Sequence, residues 1–501
     1  MKLISPKSLL SSEEVLKMIH KTNSAEWTRI QERTSLHLFQ KAASRVPAYK
    51  DFLKKNKINP KSITSFRELK NVPFTNKQNY LRAYPMEALL WDGNIRAPFV
   101  FSATSGSTGK PFYFPHGPDL DFQYSILADL FLENGAYKNK PTLVLITFGM
   151  GVWIGGVFTF QAFELASKRG KNVSILTPGI NKAEIMHALR DLAPNFTQTI
   201  LIGYPPFVKD MLDDAVLEGI DLRPLNIRLM FAAEGFSERF RDHLVKAAHV
   251  RSPYLDTLNI YGTADIGAMA YETPTSILAR RLALSNDSGF KALFGPIEKT
   301  PTLAQYNPLF TSFEAEGGSI LLTGDNAMPL VRYAVGDTGG VHSFDELQDR
   351  MKENGLSLKK QAKASRAPLY QLPFVYVYER ADFSTKLYGA IMYPEHVREA
   401  LQDEKLLAHV TGRFAMRALT NEKHDQYLEV NVELREHTKH STELSERVQT
   451  AITKNLLTRN SEYRNNHTSM GKRVVPEIIF WPHEDPKYFK PTIKQKWVIK
   501  E

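Results

Sequence analysis

The apolar positions of this chain follow three successive patterns. In the first hundred residues they recur every three or four places, as at Leu36, Leu38, Phe39, Ala42 and Ala43. That spacing lines one face of a helix and predicts helices over 12–22 and 25–45. Ser12, Glu13 and Glu14 supply a start signal for the first. From 119 onward the pattern alternates: a helix over 119–134, an apolar run of strand length over 142–148, a helix over 157–169, a strand over 172–176, a helix over 181–193 and a strand over 198–202. Another strand then delivers Glu234 and Gly235 at its carboxyl end. Alternation of this kind predicts parallel strands with crossover helices. Residues 270–312 have little periodicity and read as an insertion over a site. A strand over 319–324, an extra exposed helix over 343–356 and a Lys-rich loop over 359–366 follow. The last ~120 residues, with a strand at 428–434, a helix at 442–457 and a strand at 475–480, predict a small α+β unit.

A length of 501 residues implies two or more domains. Hydrophobic residues at 43% and charged residues at 24% are ordinary for a globular chain. No window has the unbroken apolar length of a membrane span, and the N-terminus lacks the apolar core of a secretory signal. The absence of cysteine excludes disulfides, thiolate metal sites and cysteine nucleophiles. A cytoplasmic location is the expectation. The net charge of +10 resides in residues 1–100, which hold 18 Lys/Arg against 8 Asp/Glu. This helical basic lead-in, 1–95, suits nucleic acid, an anionic surface or merely solvent. Interleaved acidic residues and the lack of aromatic stacking platforms favour solvent, so no nucleic-acid partner is expected. The 14 histidines show no two-His-plus-carboxylate zinc spacing.

Candidate chemistry concentrates in Phe101–Pro115. Thr104, Ser105, Ser107 and Thr108 offer hydroxyls, Gly106 and Gly109 let backbone N–H groups approach a ligand, and Lys110 adds a cation. This suits a loop that cradles a polyphosphate; a flexible polar hairpin turn is the plain alternative. The ATPase phosphate loop has four residues between its glycines and opens a helix. Here two residues separate the glycines, and Pro111 and Phe112-Tyr113-Phe114 favour a strand. The device is therefore strand–loop–strand.

The segment resembles the phosphate-binding signature of the adenylate-forming enzymes, the superfamily of acyl-CoA ligases, luciferases and peptide-synthetase adenylation domains. Other stretches extend the resemblance. Val46-Pro47-Ala48-Tyr49 and Val72-Pro73-Phe74-Thr75-Asn76-Lys77 are similar to the entry segment of phenylacetate-CoA ligases, a branch with relatives in capsule biosynthesis. Ala232-Ala233-Glu234-Gly235 is similar to the family's GAE run along the adenine. Tyr261-Gly262-Thr263-Ala264-Asp265 resembles YGLTE, in which the aromatic ring stacks on adenine and a hydroxyl–carboxylate pair serves phosphate and Mg2+. Ala264 stands where the family usually has a hydroxyl, and Asp265 is one methylene shorter than glutamate. Pro329-Leu330-Val331-Arg332-Tyr333-Ala334-Val335-Gly336-Asp337 matches PLIRYRTGD, whose aspartate accepts from the ribose hydroxyls. Arg380, Asp382, Lys386 and Gly389 keep the spacing of the inter-domain hinge, with Glu379 replacing its leading glycine. Lys494 matches the catalytic lysine of the terminal loop, with Ile493 in place of a glycine and Lys490 and Lys496 as rivals.

What the resemblance implies is an α/β fold: a large N-terminal domain, 1–381, with parallel-rich sheets and crossover helices, and a small mobile α+β domain, 382–501, pivoting at Asp382. It implies ATP and Mg2+ as cofactors, with Thr263, Asp265 and Lys494 catalytic, Asp265 the metal ligand, and Arg380 beside Asp337 at the ribose. A carboxylic acid is activated to an acyl-adenylate, pyrophosphate leaves, and coenzyme A takes the acyl group. An amine or protein acceptor, or a non-catalytic nucleotide-binding homologue, are the alternatives. Phe148, Trp153 and Tyr204 suggest an apolar, aromatic-lined acid pocket, although aromatic side chains more often pack cores. Oligomeric state is left open, with a homodimer as candidate.

Overall fold

The computed structural model describes residues 10–104, 112–295, 300–378, 384–401, 403–489 and 498. Its centre is an eleven-stranded sheet. The strands before it, β1 (Val100–Thr104) and β2 (Phe112–His116), form a separate antiparallel pair whose connecting segment lies outside the described residues. The sheet's first half is parallel: β3 (Thr142–Ile146), β4 (Val173–Leu176), β5 (Gln198–Gly203), β6 (Ile227–Ala232) and β7 (Thr257–Thr263), in spatial order β4-β3-β5-β6-β7. Strand β3 shows why such strands read as continuous apolar runs. Val144 and Ile146 join the core beneath helices Pro118–Asn134 and Ile154–Lys168, while Leu143 and Leu145 join the one beneath Pro205–Leu217 and Glu238–Ala247. Both faces are covered, so neither tolerates polar alternation.

Beyond β7 the sheet turns antiparallel through β8 (Gly267–Tyr271), β9 (Thr302–Gln305), β10 (Thr311–Glu316), β11 (Ser319–Gly324), β12 (Leu330–His342) and β13 (Phe374–Tyr378), in spatial order β8-β9-β13-β12-β11-β10. The insertion expected over 270–312 is therefore corrected. That stretch holds one whole sheet strand, the last residues of β8, the first residues of β10, and helices Pro274–Leu284 and Asp287–Phe294. Its periodicity is masked because the inward faces carry polar groups. Arg280 donates to Glu238, and Gln305 donates to the carbonyls of Tyr370 and Leu372. The Lys-rich loop is also a helix, Leu358–Ser365, pinned by buried Leu358 and Ala362. Helix Phe344–Glu353 is not wholly exposed, since Phe344, Leu347 and Met351 are buried in the same cluster.

The lead-in residues form helices Ser12–Lys21, Ser24–Arg45 and Pro47–Lys55. The first begins with a capping box between Ser11 and Glu14, which satisfies free N–H groups at its start. The segment after them clamps β12. Thr75 N–H donates to the Arg332 carbonyl at 3.0 Å, and Ala334 N–H donates to the Thr75 carbonyl at 2.8 Å. Arg332, with φ of 46°, turns its guanidinium inward to Glu314 (3.2 Å), Glu316 (2.5 Å) and the Val72 carbonyl.

Residues after 384 build their own core. Hairpin β14 (Thr385–Leu387) and β15 (Ala390–Met392) packs with the sheet of β16 (Val410–Thr420), β17 (Gln426–Leu434) and β18 (Glu477–Trp481) and with helices Thr442–Arg459 and Ser461–Met470. Phe489 is buried beside this unit, and Val498 bridges Met416. The expected pivot at Asp382 and the tail lysines Lys490, Lys494 and Lys496 lie outside the described residues.

Replacing Arg332 with Leu should lower stability by about 3–5 kcal/mol, because it leaves the Glu314 carboxylate buried without its cation. Urea unfolding of wild type and variant checks this; a loss under about 1 kcal/mol would remove the clamp from the account.

Candidate functional site

The candidate residues gather where the parallel and antiparallel halves of the sheet meet. Glu234 and Gly235 follow β6, Tyr261, Gly262 and Thr263 end β7, and Asp265 lies in the turn before β8. Carboxyl ends of strands at such a junction are where open α/β sheets hold ligands. Local backbone demands explain the glycines. A Cβ on Gly262 would lie 2.8 Å from the Gly267 carbonyl oxygen, and one on Gly235 would lie 2.8 Å from Thr302 Oγ1. Gly267 has φ of 77° and faces Leu120, the first-turn residue of the helix after β2.

Two tyrosines cross-connect this junction with β12. The Tyr261 hydroxyl donates to Asp337 Oδ2 at 2.6 Å, and the Tyr333 hydroxyl donates to Asp265 Oδ2 at 2.9 Å. Both carboxylates are buried. A buried carboxylate needs donors around it, and a phenol supplies one without adding charge. Thr263 turns its hydroxyl toward Met269 sulfur at 3.8 Å. The β1–β2 pair meets the turn after β7 at one point, where Ser102 Oγ donates to the Ala264 carbonyl at 3.5 Å. Residues Ser105, Gly106, Ser107, Thr108, Gly109, Lys110, Arg380, Asp382 and Lys494 lie outside the described residues.

Glu234 behaves differently from its expected place along an adenine. Its carboxylate is buried and faces the small unit: it accepts from Gly389 N–H and from Gln426 Nε2 at 2.9 Å. Lys386 Nζ donates to the Ala233 carbonyl. Gly389 has φ of 81°, and a Cβ there would lie 2.7 Å from the Tyr204 ring. Outside this contact, Lys209 Nζ reaches Asp425 at 2.5 Å and Asp213 at 2.8 Å, and Arg473 meets buried Asp210 at 2.6 Å. Burial pushes the Asp210 carboxyl up, and the guanidinium works against that shift.

Tyr204 packs edge-on against buried Phe148, with ring centroids 5.0 Å apart. Trp153 caps helix Ile154–Lys168 and stands against Gly149, where a Cβ would come within 3.0 Å of its ring. Tyr204 and Phe148 thus form an apolar pair beside the Gly389 turn, and Trp153 is placed only by its contact with Gly149. Among the described residues, no three His, Asp or Glu side chains converge as a metal cluster. No helix among them is long and apolar enough to cross a membrane.

Reasoning from the chain alone passed over Tyr333, Gln426, Ser102 and His116. Tyr333 lay inside a quoted stretch, but only its place above Asp265 marks it out. Gln426 becomes visible only once the small unit is docked.

The fold is that of the adenylate-forming enzymes. In structural comparison, 2-hydroxyisobutyryl-CoA ligase in complex with 2-HIB-AMP and CoA, in the thioesterification state, matches with a TM-score of 0.64 at 16% identity, over 96% of this chain and 91% of that one. The same ligase in the postadenylation state gives 0.51, at 15% identity over 97% and 92% of the two chains. In sequence, the chain is similar to two phenylacetate-CoA ligases. It is 24% identical to phenylacetate-coenzyme A ligase of Pseudomonas putida over 302 residues, 59% of this chain and 62% of that protein. The counterpart in Thermus thermophilus is 24% identical over 240 residues, 47% and 50% of the two chains. The match thus spans less than two thirds of either relative. No protein-family model matches the sequence.

Ala233, with φ of 77°, occupies a left-handed conformation that costs an alanine roughly 1–2 kcal/mol. Ala233→Gly should therefore leave stability unchanged or raise it by up to about 1 kcal/mol, where an ordinary Ala→Gly change loses about that much. Thermal and urea unfolding decide the sign, and a clear loss would refute the strained conformation.

Proposed function

We propose that this protein is an AMP-forming acid–CoA ligase. The supporting observation is the convergence of Tyr261, Asp337, Asp265 and Glu234 at one strand junction, beside the base of the hydroxyl- and glycine-rich hairpin. In this reading ATP lies across the junction. Tyr261 stacks on the adenine, and Asp337, with Arg380, takes the ribose hydroxyls, since one carboxylate can accept from two donors. Thr104, Ser105, Gly106, Ser107, Thr108, Gly109 and Lys110 hold the phosphates. Asp265 and Thr263 sit where the α-phosphate comes to rest. A magnesium ion retains several waters and takes only one or two protein carboxylates, so the single buried Asp265 beside a phosphate loop fits one, and the ion neutralises phosphate charge when bound.

The substrate carboxylate attacks the α-phosphorus, the bond to the bridging oxygen breaks and pyrophosphate leaves. Attack of anion on anion requires cations placed in advance, the role given to Lys110 and Lys494. The thiolate of coenzyme A then attacks the acyl carbon and AMP departs. The docked Gly389 turn belongs to this second step. It packs against Tyr204 and Glu234, closing the acid's end of the site, and the small unit's rotation about Asp382 exchanges it for the Lys494 loop. The Phe148–Tyr204 pair, with Trp153 at the start of the following helix, suits an acid with an apolar, aryl-sized body.

Acid-dependent ATP–pyrophosphate exchange, run with a panel of aliphatic and aryl acids, tests the proposal. Exchange with no acid of the panel, alongside intact folding and no ATP binding, would reject it. Thioester formation on adding coenzyme A, rather than an amide on adding amines, fixes the acceptor. Lys494→Ala should slow exchange at least 100-fold while thioester formation from supplied acyl-adenylate stays within about threefold, given how strongly a lost transition-state charge contact acts. Unchanged exchange would transfer the role to Lys490 or Lys496. Gly389→Ala should have the opposite profile. A methyl directed at the Tyr204 ring, on a left-handed backbone, should slow thioester formation about 10- to 100-fold and leave exchange nearly intact. Equal loss in both half-reactions would count against the docked turn as a second-step element.

A further inference from the structure

His116, the last residue of β2, has no part in the scheme above, yet it is buried among polar groups. Its Nδ1 lies 2.9 Å from Asn326 Nδ2, and its Nε2 lies 2.7 Å from Ser102 Oγ on the paired strand β1. Ser102 Oγ is 3.5 Å from the Ala264 carbonyl oxygen. Asn326 and Ser102 are buried as well. The ring stands edge-on to Phe158 at 4.7 Å, which fixes its plane.

The direction of every proton in this row follows from the Asn326 amide. Its oxygen accepts from Ala327 N–H at 2.7 Å and from Gly117 N–H at 3.4 Å, so its NH2 must face the imidazole. Nδ1 therefore accepts. A neutral ring that accepts at Nδ1 carries its proton on Nε2 and donates it to Ser102 Oγ. The Ser102 hydroxyl hydrogen then points to the Ala264 carbonyl. Burial holds the imidazolium form off until about pH 3, which keeps the ring in the neutral state this relay requires. The relay thus runs one way, from the β11–β12 loop through His116 to the turn that carries Thr263 and Asp265.

Its ends explain its use. Ser102 and His116 sit on the two strands that lead into and out of the 105–111 segment, and Ala264 is bonded to both Thr263 and Asp265. We infer that His116 is a positioning residue, which through Ser102 fixes the hydroxyl-rich hairpin against the Asp265 turn and so sets the spacing between the triphosphate's two supports. The inference rests on the ligase reading, but the contact itself is testable without any reaction. Positioning groups one shell away from the reacting atoms typically carry 10- to 100-fold effects.

The test uses the full-length protein with three variants: His116→Phe, which keeps the ring and its packing; His116→Gln, whose amide NH2 can replace the Nε2 donor; and Ser102→Ala, which removes the relay's middle with minimal volume change. Hydrogen exchange of the ligand-free proteins reads the contact. Faster exchange in His116→Phe and Ser102→Ala, confined to 100–104, 112–116 and 261–267, is expected, and protection equal to wild type would overturn the inference. For the reaction, His116→Phe should raise the KM for ATP in pyrophosphate exchange about 10- to 100-fold. Thioester formation from supplied acyl-adenylate should remain within threefold, and His116→Gln should recover most of the loss. The double variant His116→Phe/Ser102→Ala should be no worse than the poorer single one. Additive losses, equal damage to both half-reactions, or no rescue by Gln would each reject the relay. Wild-type protein that itself fails to exchange pyrophosphate would fault the ligase reading instead, leaving the hydrogen-exchange arm to decide the contact.

Discussion

Two buried carboxylates and two phenols set the constraint on which this structure depends. Tyr261 on β7 reaches Asp337 on β12, and Tyr333 on β12 reaches Asp265 after β7. The strands are not neighbours: β8, β9 and β13 stand between them. In a flat sheet four strand spacings would separate them by about 19 Å, far beyond the span of a tyrosine side chain. The pairing therefore requires the antiparallel half to curl back over the end of β7, as long twisted sheets tend to do.

The curl is built into β12. Its second part, from Thr338, pairs with β13, while its first part pairs with β11 through shifted register. Arg332, inside the first part, and Gly336, between the two, take positive φ values of 46° and 93°, which interrupt the extended backbone. A non-glycine residue in that conformation needs compensation, and Arg332 has it in Glu314, Glu316 and the Val72 carbonyl. Thr75 then holds the strand's backbone from the far side. The basic lead-in thereby acquires a physical role as the brace that keeps β12 folded over β7. Its cations are used along the way: Lys41 meets Asp325 and Arg45 meets Asp92.

Much of the fold was legible in the chain because the parallel half obeys one rule. Strands β3, β5 and β6 are covered on both faces, so each carries an apolar run of strand length, and the helices between them keep a helical period. The stretch 270–312 obeys no such rule. Glu272, Arg280 and Arg281 from it join Glu238 and Arg241 in an ion network, and its last residues, Thr311 and Ser312, are buried polar residues of a strand. Polar groups facing inward look like loop to any argument from hydrophobicity. The candidate site divides along the same line. Tyr261, Asp265, Asp337 and Glu234 could be named as candidates because each sits in a short contiguous motif. Tyr333 over Asp265, Gln426 on Glu234, and His116 behind the hairpin depend on how distant segments meet, and no local spacing encodes that.

Three departures from the family's motifs, Ala264, Asp265 and Ile493, raised the reading of a scaffold that has lost its chemistry. The polar contacts of the described part argue against it. Asp265, Asp337 and Glu234 are all buried, and removing charges from water is costly even when each finds donors. Two of the three are held by tyrosine hydroxyls, and Glu234 by Gly389 N–H and Gln426, so the junction keeps a set of ordered acceptors of the kind the ligase reading uses. Ala264 fits the same logic. Its side chain has no hydroxyl, but its carbonyl accepts from Ser102, so the turn is tied to the hairpin through the backbone. The shorter Asp265 is held by Tyr333 from above, which sets the carboxylate's position by a neighbour rather than by its own reach. Ala264 and Asp265 thus each sit in a defined polar contact, while Ile493 lies outside the described residues.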